Sequence, residues 1–93
     1  MEYNEEQIKQ IREYASLLMT IQDIATMLDL NIDIFRSDIA DISSPVAVAY
    51  RKGKIGTTME LRKQEIEMAK LGSALAVELT QKYILEQTLS ENG

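Results

Sequence analysis

A chain of 93 residues can bury one modest core, and 45% hydrophobic with 27% charged residues is the composition of a folded domain, not of a disordered segment. It has no cysteine and no histidine, which excludes disulfides, thiolate nucleophiles, zinc–sulfur clusters, the commonest general base and the commonest transition-metal ligand, and so points away from an enzyme and from any cofactor or metal. The net charge of −5 is unevenly spread: residues 1–43 carry nine acids and three bases, residues 44–93 seven bases and six acids.

In chain order, Asn4 with Gln7 three residues on forms a capping box, and Ile8, Ile11, Ala15 and Leu18 fall on one face of a first helix. Thr20 caps a short second helix whose buried stripe is Ile21, Ile24, Ala25 and Leu28. Asp29-Leu30-Asn31 interrupts the pattern, and a third helix starts with Asn31 or Asp33 at its head and Ile32, Phe35 and Ile39 along its inner face. Ser44 before Pro45 opens a long fourth helix, apolar at Val46, Val48, Ala49, Ile55, Met59, Leu61, Ile66, Met68, Ala69 and Leu71. Gly53 and Gly56 weaken it, and Thr57-Thr58-Met59-Glu60 reads as a fresh capping box, so it is straight, kinked or broken there. Leu71-Gly72-Ser73 stops it and supplies a new N-cap, after which a closing helix with Leu75, Leu79, Tyr83 and Leu85 runs to about Gln87, leaving 90–93 as a fraying tail. No stretch alternates as a strand does, so the expected class is all-α: a helix-turn-helix region over 1–43, then a long-helix hairpin over 44–89 that serves oligomerisation.

Thr20 to Ile39 carries the main functional signal. A helix, a three-residue turn and a helix, with small Ala25 where the two must approach, is the pattern of a DNA-reading helix-turn-helix; Leu28, Leu30 and Phe35 fill the wedge between them. Asp29 stands where the turn often has glycine, a left-handed position that aspartate tolerates through local hydrogen bonds. Arg51, Lys52, Lys54, Arg62 and Lys63 make the one basic cluster able to attract a polyanion, against its plain reading as a solvated helix face. Asp33, Asp38 and Asp41 against the single Arg36 argue for weak binding per subunit, which repeated subunits offset by avidity. Gly53-Lys54-Ile55-Gly56-Thr57-Thr58 is not a phosphate loop: Val48 stands where the first glycine belongs and Ile55 where a hydroxyl must follow the lysine. Met19, Met27, Met59 and Met68 lie in apolar stripes and read as core filler.

Thr20-Ile21-Gln22-Asp23-Ile24-Ala25 with Leu28, Leu30 and Phe35-Arg36 resembles the helix-turn-helix of phage small terminase subunits and related prophage DNA-packaging proteins. Ser44-Pro45-Val46-Ala47-Val48-Ala49-Tyr50-Arg51-Lys52-Gly53-Lys54, the helix from Leu61-Arg62-Lys63 through Glu67-Met68-Ala69-Lys70, and Gly72 extend the likeness from about Ile8 to Gln87. The resemblance implies a non-catalytic protein that recognises viral double-stranded DNA for packaging, assembles with itself into a ring, and regulates a separate large ATPase and nuclease subunit. It implies that Asn31, Asp33, Arg36 and Ser37 lie on the outer face of the recognition helix and that Arg51, Lys52 and Lys54 face phosphate. Ile55, Met59, Ile66, Leu71, Leu75 and Leu79 would pack the hairpin and the subunit contact.

The rival expectations are an acidic helical module that docks a protein partner and a dimeric mobile-element transcription regulator, the latter marked by half-site symmetry in its DNA. The acidic, polar start and the lack of a long apolar run suggest no signal peptide and no membrane span, hence the cytoplasm of a bacterial host.

Overall fold

Local chemistry sets where the helices begin. In the computed structural model, which describes residues 2–92, the chain is all-helical: α1 Glu5–Ser16, α2 Ile21–Met27, α3 Ile32–Ala40, α4 Pro45–Lys70 and α5 Ala74–Asn92, with no strand among the described residues. Asn4 Oδ1 accepts from Gln7 N at 2.7 Å while Gln7 Oε1 accepts from Asn4 N at 3.0 Å, a closed capping box. Thr20 Oγ1 caps Asp23 N at 3.1 Å, Asn31 Oδ1 caps Ile34 N at 3.0 Å, Ser44 Oγ caps Ala47 N at 3.1 Å, and Ser73 Oγ caps Ala76 N at 3.3 Å.

Three helices end in the same way, with one residue in the left-handed conformation and two reverse backbone bonds. After α4 the residue is Gly72, φ 96°, with Gly72 N to Ala69 O at 3.0 Å and Ser73 N to Met68 O at 3.1 Å. After α2 it is Asp29, φ 54°, with Leu30 N to Ala25 O at 2.8 Å, as its place in the turn predicts. After α1 it is Leu18, φ 61°, with Met19 N to Tyr14 O at 3.2 Å. Leu18 is therefore not in the buried stripe of the first helix, as its spacing suggests, but half-exposed in a turn that costs a leucine roughly 1–2 kcal/mol.

The chain divides into two compact units, the first ending at Thr57 and the second beginning at Thr58. The first is closed around Ile11 and Ala15 of α1, Ile24 and Ala25 of α2, Phe35 of α3 and Val46 of α4, all fully or almost fully buried. The expected boundary at 43/44 thus falls inside this unit, because the start of α4 supplies part of its core. Tyr3 packs its ring 6.4 Å from that of Phe35, tilted 59°, and donates its hydroxyl to Asp38 Oδ2 at 2.6 Å. Burial, followed by that bond to a carboxylate, pushes the Tyr3 phenol well above its ordinary 10.0.

Gly53 is buried for a steric reason: a Cβ there would stand 2.2 Å from the carbonyl oxygen of Arg12 and 3.1 Å from Ala15 Cβ, so only glycine lets α4 cross α1 this closely. Gly56 meets nothing within 4 Å. Thr57 does not start a new helix; α4 runs through it without interruption, and the Thr57 hydroxyl donates to the Ser16 carbonyl at the end of α1.

In the second unit the rest of α4 and α5 face each other along a seam of small and polar residues. Glu65 and Ala69 of α4 and Leu79, Thr80 and Tyr83 of α5 are half-buried, and Ala76 is buried. The Tyr83 hydroxyl donates to the Glu65 carboxylate, a bond that raises its pKa, and Arg62 lies 4.3 Å over the Tyr83 ring while pairing with Glu86 at 3.5 Å. Thr80 Oγ1 is buried without a hydrogen-bond partner. The helix α5 continues past the expected stop near Gln87 to Asn92, so residues 90–92 are helical; Gly93 lies outside the described residues.

Candidate functional site

The outer face of α3 follows from its core contact. With Phe35 fixed inward, Asp33, Arg36 and Ser37 come round to the exposed side together, as the helical period requires. Asn31 sits at the head of this face, but its side-chain oxygen is occupied by the cap, which leaves its amide group as the available donor. The three carboxylates of this region do not all face outward. Asp38 turns to the Tyr3 hydroxyl, and Asp41 accepts from Ser43 N at 3.2 Å and Ser43 Oγ at 2.8 Å. Of the three carboxylates, Asp33 alone shares the outer face with Arg36.

The basic run 51–54 is contiguous only in sequence. Successive helical residues are turned by about 100°, so three neighbours face three ways. Arg51 donates from Nη2 to the carbonyl of Ile42 at 3.0 Å, bracing the turn between α3 and α4. Lys52 borders a shallow groove with Lys9 and Arg12 of α1. Lys54 points the other way, into a cleft of about 420 Å³ that it lines together with Arg36, Gln22 and Tyr50. The residues expected to meet phosphate therefore divide: Lys54 joins Arg36, and Arg51 and Lys52 do not.

That cleft brings together cations from α3 and α4, an amide from α2 and a phenol, over an apolar wall that includes Leu18 and Met19, and no carboxylate lines it. In a chain of net charge −5 this is a local reversal of sign. Gln22 and Tyr50 were not among the residues singled out from sequence, because each lies outside the basic run and carries no charge.

Of the six residues expected at a subunit contact, Ile55, Met59, Ile66, Leu71 and Leu75 stand exposed, Leu71 at 88%. Leu79 instead is half-buried in the seam between α4 and α5. Further large apolar residues stand out beside them on the second unit, among them Leu61, Met68, Ile84, Leu85 and Leu89.

Among the described residues no helix is long and apolar enough to cross a membrane, and no three carboxylates group closely enough to hold a metal ion. No protein-family model, no characterised protein and no solved structure matches the chain.

Proposed function

We propose that the protein is a DNA-binding, self-assembling protein of the small-terminase type, in which α2, the turn at Asp29 and α3 form a helix-turn-helix and the second unit joins copies of the chain. The observation that carries this reading is the pairing of Arg36, on the outer face of α3, with Lys54 in a cleft that contains no carboxylate. A duplex whose groove receives α3 would lay its backbone alongside that cleft, where two cations and the Gln22 amide suit a phosphate. Ser37 and the Asn31 amide are then the groups nearest the base edges, and Asp33 is the one repulsive member of the face.

The second unit supports self-assembly. On α4, Met59 and Ile66 lie on one side of the polar seam and Leu61 and Met68 on the other, as their spacing around the helix dictates. Apolar flanks on both sides suit a neighbour on each, the head-to-tail arrangement that closes into a ring. Repeated copies would raise the avidity of a face that carries few cations per subunit. Recognition of viral DNA and regulation of a separate large ATPase and nuclease subunit belong to the same proposal.

The test is duplex-DNA binding by fluorescence anisotropy across a salt series. Affinity should fall steeply with salt, and Arg36→Ala with Lys54→Ala should weaken binding and flatten the slope by about 2 per subunit engaged. Unchanged binding in the double variant, or none by the parent protein at low salt, would contradict the proposal.

A further inference from the structure

Residues up to Thr57 contain six bases, and their disposition is unusual. Arg51 braces a turn, Arg36 and Lys54 line the cleft described above, and the remaining three, Lys9, Arg12 and Lys52, border one groove of about 440 Å³ on the other side of α4. Lys52 and Lys54 are two positions apart on a helix and so point about 200° from each other, which puts this groove on a different side of α4 from the cleft that Arg36 and Lys54 line. Its floor is aliphatic: Ile8 of α1 with Val48 and Ala49 of α4. The close crossing at Gly53 makes the gathering possible, because the glycine next to Lys52 lies against the backbone of Arg12.

We infer that this groove docks an acidic amphipathic helix of a partner protein. Three like charges held around one groove repel, and a ligand carrying carboxylates relieves that repulsion. The aliphatic floor selects the class of ligand. A nucleic-acid backbone would satisfy the cations but leave Ile8 and Val48 wet, and no aromatic side chain lines the groove on which a base could stack. A helix with apolar residues along one face and acids beside them covers the floor and meets the cations in one placement. Glu5, the one carboxylate of the groove, lies a turn before Lys9 and fixes the orientation: the docked helix presents no acid at that end.

The probe is a fluorescent synthetic helix of about five turns, leucine along one face and glutamate on the others, with a control in which lysine replaces glutamate. Anisotropy should report binding of the acidic helix and not of the basic one. The combined Lys9→Glu, Arg12→Glu and Lys52→Glu variant should lose affinity roughly tenfold or more, the milder combination of Lys9→Gln, Arg12→Gln and Lys52→Gln an intermediate amount, and Glu5→Gln should gain. Circular dichroism checks that each variant keeps its helices. The inference fails if the acidic helix does not bind, if the charge-reversed variant holds it as tightly, or if that variant loses duplex DNA while keeping the peptide.

Discussion

Up to Thr57 the large apolar side chains Ile11, Ile24 and Phe35 are wholly buried, whereas from Thr58 onward Ala76 is the one buried residue among those described and, Leu79 apart, the leucines, isoleucines and methionines stand outside. Both regions are helices with a similar stock of apolar residues. In the first, the stripes converge on one core. In the second, the inward positions went mostly to small and polar residues, Glu65, Ala69, Ala76, Thr80 and Tyr83 beside Leu79, and most of the large apolar ones were left on the flanks. Where apolar residues sit around a helix, more than how many there are, decides whether a segment completes itself or needs neighbours.

The largest test of that contrast is Phe35→Ala. Removing the central buried ring should destabilise the first unit by about 3–5 kcal/mol, read by urea or thermal denaturation, while Leu75→Gln, at an exposed position, should cost the isolated chain under about 0.5 kcal/mol. Equal effects would erase the distinction between the regions. Next come the two glycines of α4. Gly53→Ala drives a methyl into the Arg12 carbonyl and should cost about 1–3 kcal/mol, while Gly56→Ala meets only open space and should stabilise by about 1 kcal/mol through helix propensity.

Smaller again is Tyr3→Phe, which removes a hydrogen bond to a carboxylate worth roughly 1.5 kcal/mol. Its pH dependence carries a sign. The folded phenol ionises later than the unfolded one, so its contribution is fully present below about pH 10 and is lost as pH rises above that value. In the Phe variant the alkaline loss of stability should be shallower, measured by denaturation at a series of pH values. A gain of similar modest size is expected in the second region: Thr80→Val replaces a buried hydroxyl that has no partner and should raise stability by about 1 kcal/mol.

Helix starts were legible in the sequence because a cap is a local matter: Asn4, Thr20, Asn31, Ser44 and Ser73 each hold a backbone amide within three residues. The turn at Asp29 was legible for the same reason. What depends on distant neighbours was not. Leu18 carries no mark of a left-handed residue, Gly53 reads as a weak point in a helix until α1 is laid against it, and Thr57 reads as a cap until Ser16 is found beside it. The candidate site was half legible. The outer face of α3 follows from the period around Phe35, but the run from Arg51 to Lys54 reads as one patch while the helix sends its members three ways, and Lys9 and Arg12 lie some forty residues from Lys52 in sequence.

The most direct test of the account is the solution mass by size-exclusion chromatography with light scattering, on the parent chain and on a variant with Met59→Gln, Ile66→Gln and Leu75→Gln. The account predicts a large closed oligomer for the parent and a smaller species for the variant, with the helical signal and the melting of the first unit retained. A parent chain that is a monomer at every concentration would contradict it.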